Sequence, residues 1–506
     1  MPSLSQDTKP IFSHVEIRAV IIGLLLAILL GALDQTIIAV SLPRIAADLQ
    51  RFDLLAWVVS GYLVAVAVAT PIYGKLGDLY GRRATLSFAI GLFLVASILC
   101  ALSLSMPMLV GARILQGLGG GGLISVAQAI IADVVAPRER GKYQGYISAT
   151  YAMASVSGPL VGGALTHYLS WHWIFWINLP LGLAAFFISR RALALLPVPN
   201  IRRPIDYVGA MLLTGGLTTL LIGITRVGQG VSWLAAENIF MFAFGGIVLS
   251  AFIWQERRAV EPIIPLMLFK IRTVSICCAV LFIAFFQMVS LSALIPLRLQ
   301  MMLNISAHVA ALQLIPLTLA IPLGAFFGGR MMTRTGRSKP YQLMGTAIVP
   351  IAVLGIAHTH PAATLMSVAL MALAGIGVGL QFPTSLVAVQ NSVPPRHIGI
   401  ATATTAFFRS LGAATGIAIL TSILLVALRE NAPSVVGSLS GAEIMKDIVG
   451  GILAKMDVAN GMRLATGVQV AFQKIFTVSA VVAMISFGLA MLLPNDLLRD
   501  RISAEK

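Results

Sequence analysis

One acidic residue, Asp34, stands inside a long apolar stretch and could carry proton chemistry. It lies about sixteen residues into the apolar run 18–42, and it is the only one of 19 acidic residues placed clearly within such a run. A carboxylate in hydrocarbon is costly and by default marks an ion or proton pathway. Burial favours its neutral form, which suits reversible protonation. Two other roles stay open: a structural carboxylate hydrogen-bonded to neighbouring helices, and a counter-charge for a cationic ligand.

Arg113 is the natural partner of Asp34 because the two residues have similar depths. Arg113 lies about five residues from one end of the run 108–132, and Asp34 lies about eight from the corresponding end of its own run. An arginine stays charged, so it stabilises an ionised carboxylate when close and releases it when distant. Helix movement could thereby change proton affinity, and Gln116 would support the pair. The alternative is a structural arginine bonded to backbone carbonyls.

A second cluster of charges is predicted around the glycine-rich loop 74–83, which reads GKLGDLYGRR. Its glycines allow a tight turn and a close approach of helices. Asp78 and Arg82 are four residues apart and can share one helical face, and Asp133 could complete the cluster. The members of the predicted cluster are Gly74, Asp78, Gly81, Arg82 and Asp133. The alternative is a solvated basic loop that only anchors the topology.

Glycine and proline near the centre of the run 143–167 predict a bent helix that packs closely against a neighbour. The residues are Gly158, Pro159, Gly162 and Gly163. Small residues let helix backbones approach, and proline removes a backbone donor. Ordinary packing through glycine would give the same pattern.

Candidates for a binding cavity form a weaker set. Arg409 lies near the middle of the run 399–428, and no acidic residue of the second half has a matching depth. It either lines a cavity or turns toward the membrane surface and bonds to carbonyls. Gln116, Gln287, Gln381 and Phe382 complete the set.

The elements that must position these residues are membrane-spanning helices. Hydrophobic residues make up 58% of the 506 residues and charged residues 11%, whereas soluble proteins carry about 25% charged residues. Apolar runs recur that are long enough for spanning helices and too long for barrel strands. The fourteen predicted spans are 18–42, 55–74, 84–104, 108–132, 143–167, 173–195, 206–225, 238–254, 274–297, 308–330, 341–357, 363–389, 399–428 and 470–493. The first run lacks a small-residue cleavage site, so we interpret it as a span and not as a signal peptide.

The distribution of basic residues predicts the orientation. The chain carries 35 Lys and Arg against 19 Asp and Glu, for a net charge of +16. With both termini in the cytoplasm, 24 basic residues fall on the cytoplasmic side and 9 on the other, while Arg113 and Arg409 lie within spans. Lys and Arg collect in cytoplasmic loops. The bias therefore predicts cytoplasmic termini, and it explains the basic composition without a nucleic-acid partner.

An internal repeat predicts two similar halves. Seven residues recur 258 positions later: Gly117, Gly119, Gly121, Pro137, Arg138, Gly141 and Gly158 reappear as Gly375, Gly377, Gly379, Pro395, Arg396, Gly399 and Gly416. Gly74 and Gly81 recur after 255 positions as Gly329 and Gly336. The fourth span maps onto the twelfth, which fits two six-helix bundles separated by two extra helices. The predicted domains are 1–200, 201–272 and 273–506, with a long extracytoplasmic loop at 429–469. Parallel repeats point to a transporter with its site between the halves.

The sequence lacks the common motifs of enzymes and of nucleotide-binding domains. It contains no G-x-x-x-x-G-K-[ST], no G-x-S-x-G and no H-E-x-x-H motif. Cys100, Cys277 and Cys278 lie in apolar runs and suggest neither a disulfide framework nor a metal site. We therefore expect no enzyme activity, no metal and no cofactor, with energy supplied by an ion gradient.

Six segments carry a resemblance to a known family, and they occur in order along nearly the whole chain. They are LDQTIIAVSLP at 33–43, GKLGDLYGRR at 74–83, RILQGLG at 113–119, GPLVGG at 158–163, WIFWINLPLG at 173–182 and FRSLG at 408–412. These segments resemble motifs of the major facilitator superfamily, and more narrowly of its fourteen-helix drug:proton antiporters of the QacA/EmrB type. Two positions depart from the pattern. Leu79 stands where a basic residue is usual, and Thr333 stands where the first half has Asp78.

The resemblance implies a proton-coupled multidrug efflux transporter in the cell (inner) membrane, working by alternating access and contributing to antibiotic resistance. It implies amphipathic, often cationic substrates, proton coupling through Asp34 and Arg113, and export marked by the segment 158–163. By the same resemblance the loop 429–469 could contact a periplasmic adaptor protein, and the alternative is a loop without a partner.

Two rival functions stay open at this point. The first keeps the fold but exports one specific metabolite, lipid or siderophore. The second is a membrane sensor or scaffold that transports nothing. Charges at matching depth in Asp34 and Arg113 count against a scaffold, which does not need them.

Overall fold

The computed structural model describes residues 14–50, 54–195, 206–228, 231–303, 305, 307–431 and 458–499. These residues are almost wholly helical, with one isolated β-bridge between Arg337 and Leu497. The helices of the first part are α1 (His14–Leu49), α2 (Leu55–Tyr80), α3 (Arg82–Ala101), α4 (Met106–Val134), α5 (Arg140–Tyr168), α6 (Trp173–Trp176), α7 (Asn178–Ala192), α8 (Tyr207–Gly228) and α9 (Ala236–Glu256). Those that follow are α10 (Arg272–Leu303), α11 (Ala307–Gln313), α12 (Ile315–Thr335), α13 (Lys339–His358), α14 (Thr364–Ser392), α15 (Ile398–Asn431) and α16 (Val458–Met491).

Length and composition agree with a multi-pass membrane protein. In the described residues, 13 helices are long and apolar enough to cross a membrane. The 29-residue helix α5 is as long as these but more polar. The all-helical fold predicted from the apolar runs is therefore confirmed.

Two predicted spans are broken by a short interruption. The run 173–195 forms α6 and α7, which are separated at Ile177, and the run 308–330 lies in α11 and α12, which are separated at Leu314. Pro180 and Pro316 follow these breaks in the first turn of the next helix, where the missing N–H of proline is tolerated. The run 173–195 nevertheless contains one candidate membrane span, Trp173–Ala192, as predicted, whereas the candidate span of the second run begins only at Ile315.

The predicted end of α10 at 297 was wrong, and the helix runs on to Leu303. Arg298 was expected in an outer loop, but it is buried within α10. Its guanidinium donates hydrogen bonds to the carbonyl oxygens of Ile356 and Thr359 at 2.5 and 2.7 Å. These carbonyls lie at the end of α13, where helix carbonyls lack internal partners, so a basic side chain is stabilised there.

Two groups of helices each enclose an apolar core. The first group, α1–α7, packs around clusters that include Phe93 and Phe175. The second group, α10–α16, packs around a cluster that includes Phe472 and Phe476. Helices α8 and α9 pack mainly against each other, and α8 also contacts α2 and α15.

The repeated glycines make equivalent contacts in the two groups. At two of the repeated pairs, a Cβ atom added to either glycine would collide with a backbone carbonyl oxygen of a neighbouring helix. The pairs are Gly117 with Tyr62, Gly121 with Val66, Gly375 with Leu317 and Gly379 with Ile321. The glycines are related by 258 positions and their partners by 255, which are the offsets found in the sequence. The sequence repeat is thus also a repeat of helix packing.

The two groups meet tightly at one end of the molecule, which we call the loop face and define by Gly81, Val135, Gly336 and Val393. There α2 packs against α15, and α5 packs against α12. We call the opposite end the far face, where Trp171 Nε1 donates to Asp48 Oδ2 at 2.8 Å. Most of the predicted long loop 429–469 lies outside the described residues.

Candidate functional site

The carboxylate of Asp34 is buried inside the first helix group and accepts three hydrogen bonds. Arg113 Nη1 donates to Oδ2 at 2.6 Å, while Gln116 Nε2 and Asn178 Nδ2 donate to Oδ1 at 2.9 and 3.0 Å. Asp34 is 3% exposed. The donors come from α4 and α7, so the site ties three helices together around one negative charge.

Arg113 is held on several sides as well. Its Nε donates to the carbonyl oxygen of Val58 at 3.2 Å, and Nη1 also donates to Gln116 Oε1 at 2.8 Å. The guanidinium carbon lies 4.2 Å from the centroid of the Tyr62 ring, which is a cation–π contact. The structure therefore brings Asp34, Arg113 and Gln116 together, and the ion pair that depth allowed is direct.

Two residues of this cluster were missed by the sequence reasoning. Asn178 Nδ2 donates to Ser97 Oγ at 2.9 Å as well as to Asp34, and Gln116 Nε2 lies 3.4 Å from the same hydroxyl. The available signal was that Asn178 is the one amide in the apolar segment WIFWINLPLG at 173–182. Ser97 gave no signal, because a small polar side chain in a membrane helix usually bonds to its own backbone.

This arrangement shields the carboxylate of Asp34 from water and gives it three hydrogen-bond donors, one of which is the Arg113 cation. Separating the buried pair would cost on the order of 3–5 kcal/mol, because each charge would be left uncompensated. Each of the two buried charges is therefore compensated by the other inside the first helix group.

A second ionic cluster, here named the first latch, consists of Asp78, Arg82, Asp133 and the amide of Ile400. Asp78 Oδ1 pairs with Arg82 Nη2 at 2.6 Å, and Arg82 Nε pairs with Asp133 Oδ2 at 2.7 Å. Asp78 Oδ2 accepts a hydrogen bond from the Ile400 N–H at 2.9 Å, at the start of α15. The predicted charge cluster thus exists, and it also binds the N-terminus of a helix in the other group.

Glycines make the first latch possible. Gly81, between α2 and α3, has φ of +87°, a backbone conformation that other residues rarely adopt. Side chains at Gly74 and Gly399 would collide, respectively, with α15 and with the charged atoms of Asp78 and Arg82. The close approach of α2 and α15 therefore depends on residues without a side chain.

The equivalent contact of the second half, here named the second latch, joins Arg138 to the end of α12. Arg138 Nε donates to the carbonyl oxygen of Thr333 at 3.1 Å, and Nη2 lies 3.5 Å from that of Arg334. Asn391 binds the chain segment 497–499, whose Leu498 N–H donates to the carbonyl oxygen of Gly336 at 2.9 Å.

The glycines of α5 pack against α1. A Cβ atom on Gly158 would collide with Thr36, and one on Gly162 would lie 2.9 Å from the carbonyl oxygen of Ile37. Thr36 Oγ1 donates to the carbonyl oxygen of Ala154 at 2.9 Å. Pro159 and Gly163 lie in the same continuous helix. The predicted close packing is present in the first group.

Arg409 meets two aromatic rings in the second group. Its guanidinium carbon lies 5.1 Å from the centroid of the Phe285 ring and 4.8 Å from that of Phe382. The two rings are 6.1 Å apart in a T-shaped arrangement. Two predicted cavity residues, Arg409 and Phe382, are thus neighbours.

Gln287 and Gln381 lie inside the second helix group. Gln287 Nε2 donates to the carbonyl oxygen of Ser479 at 2.7 Å, and Ser479 Oγ is 2.5 Å from Gln287 Oε1. Gln381 Nε2 donates to the carbonyl oxygen of Gly377 at 3.1 Å, and its Cγ faces Gly345 on α13. Their assignment to a cavity stays a prediction.

Two repeated groups of membrane-length helices, with charged residues buried at their centres, define a multi-pass membrane transporter. The family model of the Major Facilitator Superfamily matches residues 24–417, which is most of the chain. The chain belongs to this superfamily. Its members are transporters, so the expectation that the chain is not an enzyme is confirmed.

Two proteins of similar sequence support this placement. The chain is 35% identical to Multidrug resistance protein 3 of Bacillus subtilis over 79% of its own length and 78% of that protein. It is 34% identical to an uncharacterized MFS-type transporter of Mycobacterium tuberculosis over 82% of its length, and this match spans 61% of that longer protein.

A solved structure shares the fold. The human organic anion transporter MFSD10 (TETRAN) superposes with a TM-score of 0.64, covering 94% of this chain and 99% of that chain. The identity is 16%, so this likeness concerns the fold alone.

Proposed function

We propose that this chain is a proton-coupled multidrug efflux transporter that works by alternating access. The observation that carries the proposal is the ion pair between Asp34 and Arg113 at 2.6 Å, with side chains 2% and 1% exposed. Burying two charges is costly, and a sensor or scaffold gains nothing from it. A transporter gains a site whose proton affinity changes when the pair opens.

The cycle that follows from this site has two linked steps. While Arg113 stays bound, Asp34 remains ionised and no proton is carried. With the loop face closed, as in this structure, the ion pair is still formed; when Arg113 then moves away, Asp34 takes a proton from the far face and cargo is released on that side. Reopening toward the loop face returns the proton and restores the ion pair. Protons therefore move inward as cargo moves outward.

The architecture we propose is the fourteen-helix arrangement of the QacA/EmrB type. Residues 1–200 form the first six-helix bundle, 201–272 the insert and 273–506 the second bundle. In this arrangement α5 counts as a span, while α6 with α7 and α11 with α12 each make one. The bias of basic residues supports a cytoplasmic loop face and cytoplasmic termini in the cell (inner) membrane.

The cargo we propose is a range of amphipathic compounds, often cationic, so that expression would confer resistance to antibiotics. The relationship to Multidrug resistance protein 3 supports this breadth, and the resemblance of the segment 158–163 supports export. The loop 429–469 is the segment available to a periplasmic adaptor.

The test is proton movement in proteoliposomes under an imposed pH gradient, with a cationic dye added as substrate. We expect the dye to evoke proton release from the wild-type protein and none from Asp34→Asn, because an amide cannot carry the proton. Dye binding by the variant should persist, which separates lost coupling from lost folding.

A matched control is Asp48→Asn, which changes the same residue type on the same helix. Asp48 lies at the far face and bonds to Trp171 outside the cluster. This variant should retain proton release. Coupling that survives in Asp34→Asn, or is lost equally in both variants, would refute Asp34 as the proton site.

A further inference from the structure

The position of Arg409 places a cation at mid-depth between the two helix groups. It follows the start of α15 by eleven residues, or about 16 Å at 1.5 Å per residue. Phe382 lies ten residues before the loop-face end of α14, at a similar depth. A bilayer core is about 30 Å thick, so this charge stands near its middle.

The charge of Arg409 is not neutralised by any residue of the described chain. Its Nε is completely buried and has no hydrogen-bond partner, and none of the ion pairs among described residues includes it. A charge at this depth that forms no ion pair is costly unless water or a ligand reaches it, and such residues usually line substrate or ion pathways.

Arg298 shows what a structural arginine of this protein looks like. It lies on the same group of helices and also stands over an aromatic ring, Phe476, at 5.6 Å. Its Nε also lacks a partner, but its two terminal nitrogens donate to backbone carbonyl oxygens. Arg409 has the aromatic contact without those carbonyl bonds. The difference argues against a role for Arg409 in packing alone.

The surroundings of Arg409 belong to both halves of the transporter. Phe285 and Phe382 flank it from α10 and α14. From the first group, Tyr151 on α5 is close enough to interact with it electrostatically. All four side chains are partly exposed rather than fully buried. They therefore border the space between the groups, where a substrate of such a transporter would be held.

The buried acid of the first helix group, Asp34, does not balance this charge. Asp34 is already occupied by Arg113, Gln116 and Asn178. The described charges deep in the membrane at these two sites are thus one carboxylate and two guanidinium groups. The space between the helix groups carries an excess of positive charge.

We infer that Arg409, flanked by Phe285 and Phe382, binds an acidic group on the substrate, so that the preferred cargo is an amphipathic compound with a carboxylate or similar anion. This rests on the proposed transport function and departs from the often cationic cargo that the family resemblance implies. The guanidinium would form charge-assisted hydrogen bonds to the anion. The two rings would contact the apolar part of the same molecule.

The test compares two dyes that differ in one charge: rhodamine B, which has a free carboxylate, and rhodamine B methyl ester. Fluorescence anisotropy would measure the Kd of each for the purified protein in lipid nanodiscs. We expect the wild-type protein to bind the acid at least about tenfold more tightly than the ester. In Arg409→Gln this preference should disappear through weaker binding of the acid, while the ester changes by less than about twofold.

Two further variants separate recognition from folding. Arg409→Lys keeps the charge and should retain part of the preference, and Arg298→Gln removes a buried arginine elsewhere and should leave the preference intact. Equal binding of the two dyes by the wild-type protein, binding of neither dye, or an equal loss of both in Arg409→Gln would overturn the inference.

A parallel measurement distinguishes the two proposals. Proton release evoked by the ester in proteoliposomes, and lost in Asp34→Asn, would support transport whichever dye binds better. Equal affinities together with that proton signal would reject the acidic-cargo inference alone. A preference for the acid without any proton signal would instead reject the proton-coupled function and leave the binding site standing.

Discussion

The first latch and the second latch occupy equivalent places in the internal repeat, but they hold the two helix groups together by different chemistry. Asp78 and Asp133 of the first correspond to Thr333 and Asn391 of the second, so neutral side chains replace both carboxylates. The first latch presents an anion to the N-terminus of α15. The second presents a cation, Arg138, to the C-terminus of α12.

Both contacts use the helix dipole with the favourable sign, since anions stabilise helix N-termini and cations stabilise C-termini. The two latches differ in the polar groups that lose their partners when the contact opens. Opening the first latch separates Asp78 from the Ile400 amide and leaves a network of charges to be hydrated. Opening the second separates Arg138 from the carbonyl oxygens of Thr333 and Arg334. We therefore expect the first latch to dominate the energy of closure at the loop face.

The largest effect is expected from Asp78→Asn. This change removes the ion pair with Arg82 and the charged acceptor for the Ile400 N–H, at a cost on the order of 3 kcal/mol. The population should shift toward a conformation open at the loop face, and dye transport should fall by at least about tenfold. Alkylation of Ile400→Cys, in a background without the three native cysteines, would report the opening.

The matched control is Thr333→Asn, which places the same amide at the equivalent position of the second latch. It should change transport by less than about twofold, because no ion pair is lost there. Full protection of the cysteine in Asp78→Asn would show that the first latch does not hold the closed state.

A smaller effect is expected from Arg138→Gln. The change removes a cation from the end of α12 at a cost of about 1 kcal/mol, and transport should fall by about two- to fivefold. Arg138→Lys should recover part of the loss, because it retains the charge. A loss as large as that of Asp78→Asn would contradict the ranking of the two latches.

The smallest effect is expected from Asn391→Ala. Asn391 Nδ2 donates to the carbonyl oxygen of Leu497 at 3.3 Å, and its Oδ1 accepts from the Arg499 N–H at 3.1 Å. Losing these bonds should cost about 1 kcal/mol. Thermal unfolding followed by intrinsic fluorescence should show a slightly lower midpoint, with transport almost unchanged. Loss of transport without a change in the midpoint would assign Asn391 a direct role in the cycle.

Much of the fold could be predicted because the bilayer imposes a simple rule. Helices must satisfy their own backbone in lipid, so long apolar runs predict helices. The breaks before Pro180 and Pro316 were readable in principle, since proline is best tolerated in a first helical turn. The extension of α10 past Arg298 was not, because it depends on carbonyls contributed by α13.

The candidate site was likewise predictable only in part. A charged residue deep in a span is conspicuous, so Asp34, Arg113 and Arg409 could be singled out from sequence alone. The neighbours of these charges depend on how each helix is turned about its own axis, which the apolar runs in the sequence do not specify. Asn178 and Ser97 therefore went unnoticed, and the aromatic neighbours of Arg409 could not be assigned.

Among the described residues, the side-chain donors to Asp34 lie on α4 and α7, and this restricts how a transport cycle can run. Rotating the two helix groups as solid blocks leaves distances inside the first group unchanged, so rotation alone could never pull Arg113 away from Asp34. Some helix within the group has to bend. Four successive glycines, Gly119–Gly122, follow Arg113 on α4, and glycine is the residue that resists bending least. We expect the bend to occur at these glycines, on the same helix that carries Arg113.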